Sequence, residues 1–118
     1  MLFRSLSMTI FDSSPQPFCM IRVELDSDGA PCDWTFLYCN DALARLEGYP
    51  KEQLIGHRFY DIFPNGDKKW LRPYYEAAYE KKISSFQSAS DEVGQYLYVD
   101  CFPLDEVGTC GCMLRTFD

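Results

Sequence analysis

Six cysteines, at positions 19, 32, 39, 101, 110 and 112, and one histidine, His57, are the residues of this 118-residue chain best suited to metal or redox chemistry. Structural zinc sites usually join two pairs of ligands, each pair two to four residues apart. Cys110-Gly111-Cys112 has one residue between its thiols, and on a strand that spacing turns both side chains to one face. We read the two as small core residues with a glycine between them. The Cys-X-X-Cys spacing of a redox dithiol does not occur. Nucleophilic catalysis needs a base beside its nucleophile; His57 can be the base, but no serine or cysteine motif marks a partner. Asp26 with Asp28, and Asp91 with Glu92, fall in turns, where carboxylates are solvated. The glycines never cluster into a phosphate-binding loop. The spacing of these groups marks no active site.

The elements available to position such groups are those of one domain, expected over 1–118, since this length is near the modal domain size. Eleven basic residues are scattered among eighteen acidic ones, for a net charge of −7. Nucleic acid and anionic membrane surfaces are bound by clustered Lys and Arg. The densest basic group here, Lys68, Lys69 and Arg72, reads as a solvated helix face, so neither partner is expected. No stretch approaches the ~20 apolar residues of a membrane span. The N-terminus lacks the apolar run and cleavage pattern of a secretory signal. The expected compartment is therefore the cytoplasm, with reduced cysteines.

Leu2, Phe3, Leu6, Ile10 and Phe11 recur at helical spacing and predict an amphipathic N-terminal helical cap over 1–14, stopped by Ser13-Ser14-Pro15-Gln16-Pro17. Residues 18–25 alternate as a strand, Asp26-Ser27-Asp28-Gly29 is a turn, and 34–39 is a second strand. Asn40 can cap a short helix with Ala42, Leu43 and Leu46 on its apolar face, ended by Gly48. Pro50–Ile55 and Phe59–Phe63 read as further helical turns. The longest helix is expected over 67–82, capped by Asp67, with a kink or late start at Pro73. Strands follow at 83–89, 95–103 and 109–117. The predicted class is α+β: a five-stranded antiparallel sheet with helices on one face. The sequence does not settle which face of each strand is inward, because both are rich in apolar residues.

Tyr38-Cys39-Asn40-Asp41-Ala42-Leu43, then Leu46-Glu47-Gly48-Tyr49-Pro50 and Leu54-Ile55-Gly56, form an ordered set that resembles the PAS domain family. That family has a strand ending in Asn, a short helix, Gly-Tyr, and a Leu-Ile-Gly turn. Asp61-Ile62-Phe63-Pro64 is similar to the segment before its long helix. The resemblance implies a core over 17–117 and a signalling function without catalysis. The output domain would be a histidine kinase, a diguanylate cyclase or a transcription regulator. It implies a homodimer formed through the N-terminal helix and a sheet face. Because the family often continues past the last strand, it also implies a fragment or truncated product of a longer protein.

The resemblance further implies a cavity between the long helix and the inner sheet face, which a small apolar ligand could fill. Candidate lining residues are Leu43, Leu54, Phe59, Leu71, Tyr75, Val99 and Met113, and Trp70, Tyr74 and Tyr75 could wall it. Haem and flavin are open but not indicated. The photoactive Cys of flavin-adduct relatives is replaced after Gly56 by His57-Arg58, and His57 precedes the helix on which haem-binding relatives carry their ligand. Two other readings stand beside the sensor: a small enzyme with an apolar pocket, for which His57, Tyr98 and Asp100 are the only nameable acids or bases, and a ligand-free interaction module.

Overall fold

Period-two patterning places five strands, β1 (Phe18–Leu25), β2 (Pro31–Cys39), β3 (Ser84–Ser90), β4 (Gln95–Pro103) and β5 (Thr109–Thr116). The computed structural model describes residues 12–91 and 93–116. The strands pair antiparallel in the order β2-β1-β5-β4-β3. The chain between β2 and β3 must therefore cross from one sheet edge to the other. That crossing carries the helices α1 (Asp41–Glu47), α2 (Lys51–Leu54) and α3 (Phe59–Ile62), a 3-10 turn (Lys68–Trp70), and α4 (Leu71–Tyr79). The predicted α+β architecture is the one observed.

Several boundaries differ from the sequence expectation. β2 starts at Pro31 rather than at 34, because the Asp26 carboxylate accepts from the backbone N–H of Asp28 (2.8 Å) and Ala30 (3.0 Å) and closes the turn early. The long helix is shorter than 67–82. Asp67 caps it as expected, accepting from Lys69 N–H at 2.8 Å, but the first turn is 3-10 and the α-helix begins only at Leu71. Pro73 falls in the first turn of α4, where its missing N–H breaks no helical bond. The helix ends where Lys81 takes a left-handed φ of 58°. β3 starts one residue late and leaves Ile83 exposed. Residues 1–11, the greater part of the expected N-terminal cap, and the last two residues lie outside the described residues.

The inner face is settled by register. Leu97, Val99 and Cys101 of β4, Cys110, Cys112 and Leu114 of β5, and Cys19, Ile21 and Val23 of β1 are all buried against the helices. In β2 the register slips at Leu37: Met20 pairs with Tyr38 but Ile21 with Phe36. This bulge keeps Trp34, Phe36 and Cys39 on the core side and turns Tyr38 outward, where its hydroxyl donates to the Asp12 carboxylate. Ala77 and Ala78 of α4 are fully buried, and their small side chains let the helix approach the sheet closely.

Asn40 is the joint between sheet and helices. Its Oδ1 accepts from Leu43 N–H at 2.9 Å, the expected cap, and also from Phe18 N–H at 3.1 Å. Its Nδ2 donates to the Gln16 carbonyl at 2.8 Å. The free edge of β2 is partly covered by the loop before α3, since Phe36 N–H donates to His57 O (3.1 Å) and Gly56 N–H to Phe36 O (2.7 Å).

Candidate functional site

The crossing helices close over the inner sheet face around an internal space of about 20 Å³. β2 contributes Trp34, the end of α1 Glu47, α3 Phe59, the 3-10 turn and α4 Trp70 and Tyr74, and the strands Ser90, Leu97 and Leu114. Seven of these are buried, and Glu47 is half-buried with its Oε2 shielded from solvent. The rings pack as one cluster. Trp34 stacks on Phe59 with centroids 4.1 Å apart and meets the edge of Tyr74 at 4.9 Å. Phe86 of β3 joins Trp70 at 5.5 Å and Tyr74 at 6.0 Å. Asp33 fixes one side of the cluster from below: its Oδ1 accepts from Trp34 N–H (2.7 Å) and from Tyr60 N–H (3.1 Å), which caps α3 across the chain.

Of the residues named from sequence, Phe59, Trp70 and Tyr74 line the space. Leu43, Leu54, Leu71 and Val99 are buried in the same core without lining it. Tyr75 is half-buried and stacks on Tyr79 at 5.2 Å, pointing away from the cluster. Met113 is on the other side of the sheet: it alternates with inward Cys112 and Leu114 and pairs with Phe18 and Asp100. Trp34, Glu47, Ser90, Leu97 and Leu114 were missed. For Glu47 a signal was present, since it stands four residues after Leu43 on the same helical stripe.

The cysteines are arranged in a way that their sequence positions conceal. Cys39, Cys19, Cys112 and Cys101 are successive register partners, so four thiols form one row across four strands, with Cys101 Sγ and Cys112 Sγ 4.0 Å apart. All four, and Cys110, are buried and free. Burial, and then the Cys19 neighbour, pushes the Cys39 thiol up to about 12. Contacts with the thiols of Cys101, Cys110 and Cys19, followed by burial, hold Cys112 well above the ordinary range. These groups are protonated and act as small apolar residues. Burial likewise holds the Tyr74 phenol far up, with the surrounding thiols adding to it. Among the described residues no group of three or more His, Cys, Asp and Glu is arranged to hold a metal ion.

The acids and bases nameable from sequence do not converge. His57 is exposed at the β2 edge. Asp100 accepts from Ser85 Oγ at 2.7 Å on the outer face, where Arg115 lies 4.7 Å over the Tyr98 ring. A space of this size takes a group about as large as a water molecule. The residues present therefore do not fit haem or flavin in this conformation, and His57 is not at the cavity. Among the described residues no helix is long and apolar enough to cross a membrane.

A protein-family model described as PAS fold matches residues 11–117. Among solved structures, a domain of an HTR-like protein from Haloarcula marismortui is similar with a TM-score of 0.68 at 16% identity, over 89% of this chain and all (100%) of that one. A PAS domain from a two-component sensor histidine kinase is similar with a TM-score of 0.63 at 18% identity, over 98% of this chain and 97% of that one. The photoactive yellow protein domain of the sensor histidine kinase Ppr from Rhodospirillum centenum follows with a TM-score of 0.56 at 15% identity, over 91% and 90%. At these identities the likeness is one of fold. No curated protein matches the chain.

Proposed function

The chain belongs to the PAS fold family, and we propose that it is the sensory input module of a larger signal-transduction protein in which catalysis resides elsewhere. One observation carries this reading: the helical crossing encloses a ring-lined space, with Glu47 among its walls, between α4 and the sheet. A small ligand with apolar surface would have to widen this space, and in doing so would alter how α1 and α4 sit on the strands. The similar domains from sensor histidine kinases support a kinase as the output, with a diguanylate cyclase or transcription regulator as the other outputs to test. We take 1–118 as one domain, with a cap over 1–14 and a core over 17–117, working in the cytoplasm without contact to nucleic acid or membrane.

The same reading makes the domain a homodimer through the N-terminal segment and the outer sheet face. That face presents half-buried Met20, Tyr38, Phe102 and Met113, and Asp12 reaches it at Tyr38. An apolar stripe of Leu2, Leu6 and Ile10 would be costly in water unless covered. The ligand reading is tested by mass spectrometry and absorption spectroscopy of the domain purified from cells. Release of a stoichiometric small molecule supports it, and a domain that neither carries nor takes up any small molecule sinks it. Sedimentation of the chain with and without residues 1–12 tests the dimer: the deletion should weaken association, and unchanged behaviour rules that interface out.

A further inference from the structure

We infer that Cys101 and Cys112 form an oxidation site, closing to a disulfide across β4 and β5 when hydrogen peroxide reaches the core. Neither residue lines the ring-lined space, so the site stands whether or not a ligand binds there. Cys112 contacts the thiols of Cys101, Cys110 and Cys19, and strand register decides among them. A disulfide needs Cβ atoms about 3.5–4.5 Å apart. Opposite Cβ atoms stand about 4.5 Å apart at a non-hydrogen-bonded antiparallel pair and about 5.5 Å apart at a hydrogen-bonded one.

Leu104 N–H donates to Thr109 O at 3.3 Å. Two steps along the β4–β5 register, Phe102 and Gly111 are the next hydrogen-bonded pair, and Cys101 faces Cys112 at the non-hydrogen-bonded site after it. Pro103, which has no N–H to give, faces Cys110 at a site of the same kind. On the other side, Val23 N–H donates to Gly108 O (2.9 Å) and Leu114 N–H to Pro17 O (3.0 Å). Cys19 and Cys112 are therefore a hydrogen-bonded pair, with their side chains farther apart. Cys110, two residues along the same strand, stands about 6.7 Å away at Cα with its Cβ parallel to that of Cys112, which cannot be bridged in place. Cys101 is the partner that remains. Cys19 and Cys39 also share a non-hydrogen-bonded site, since Asn40 N–H donates to Phe18 O at 3.1 Å. The contact of 4.0 Å between Cys101 Sγ and Cys112 Sγ places the first bond there.

In the reaction one sulfur attacks a peroxide oxygen, the O–O bond breaks, and the departing hydroxide takes the thiol proton and leaves as water. The second sulfur attacks the resulting sulfenic sulfur. The S–S bond forms, the S–O bond breaks, and that hydroxide leaves as water with the second thiol proton. Both thiols are buried, so the first step waits on local opening of the core and is slower than oxidation of half-buried Cys32.

The experiment holds the whole chain carrying Cys32→Ser in hydrogen peroxide at neutral pH without denaturant, well past the time that consumes Cys32 in the parent. One alkylating label applied in denaturant, then reduction and a second label, mark free and linked thiols for peptide mass spectrometry. The expected product is a chain lighter by two hydrogens, with the second label on Cys101 and Cys112 and the change reversed by dithiothreitol. Cys101→Ala should abolish it and leave Cys112 unlinked. The mapping uses a chain whose buried thiols are intact, so it decides even if that variant does not fold. Cys101 and Cys112 both carrying the first label overturns the inference. So does Cys112 linked to Cys19 or Cys110, a Cys19–Cys39 link that forms first, or a Cys101–Cys112 link that forms only in denaturant.

Discussion

The ring of Phe102 lies directly on the backbone of Gly111, its partner across β4 and β5, so that a Cβ on Gly111 would stand 2.5 Å from Cε2 and Cζ of that ring. Gly111 is present for space, since its φ is not among the positive ones. Phe102 in turn stacks on Phe18 with centroids 6.3 Å apart, so one absent methyl group lets the outer face pack across three strands. Gly111→Ala should cost about 1–3 kcal/mol through overpacking, measured by urea denaturation. Adding Phe102→Leu should recover part of that loss. A Gly111→Ala protein as stable as the parent would show that the ring moves aside freely.

Asn40 should be among the most sensitive polar positions. It is fully buried and its amide serves Leu43, Phe18 and Gln16 at once. Asn40→Ala strands two backbone donors and an acceptor, for a loss of roughly 3 kcal/mol or more. Asn40→Asp keeps the two accepted bonds but sets a carboxylate oxygen against the Gln16 carbonyl, and should cost about 1–3 kcal/mol. If aspartate proves neutral, the Nδ2–Gln16 bond contributes nothing to stability.

What the sequence disclosed and what it hid follow from the range of the interactions involved. The Asn40 and Gly48 caps, the hairpin turns and the alternation of β4 are local, and their residues announce them. The inner face of the sheet is not local, because aromatic residues occupy both faces: Phe18 and Phe102 pack outside, Trp34 and Phe36 inside. The bulge at Leu37 decides that Cys39 and not Tyr38 faces the core, and nothing in residues 34–39 signals it. The same limit explains Met113, a candidate for the cavity wall that lies on the other face of the sheet. It also explains Trp34 and Leu114, which reach the cavity only through the pairing of β1 with its two neighbours.

The thiol row predicts selective reactivity. Cys32 is half-buried, with Sγ 3.5 Å from the Glu24 carbonyl, while the other five cysteines are buried. An aromatic disulfide reagent should titrate one thiol quickly in the native protein and all six only after denaturation. Serine at Cys32 should remove the fast phase. A second rapidly reacting thiol would mean that the row beneath Tyr74 opens far more often than its packing implies.

The same row should make the fold labile to alkali. In the folded chain Cys39 holds its proton to about 12, against 9.0 for the free thiol, and Cys112 and Tyr74 are shifted upward in the same direction. Above pH 9 the unfolded chain therefore releases protons that the native state keeps, so stability falls as pH rises. The contribution is fully present below the unfolded value of 9.0 and is lost through the window up to about 12. One fully shifted group changes stability by at most about 1.4 kcal/mol per pH unit across that window. Urea midpoints measured from neutral pH upward should stay level to about pH 9 and then decline. In Cys39→Ala, which removes one of the titrating thiols, the decline should be shallower. A midpoint that stays level well above pH 9, or a variant with the slope of the parent, would mean that Cys39 titrates in the folded chain as an ordinary thiol, and that the row is open to water.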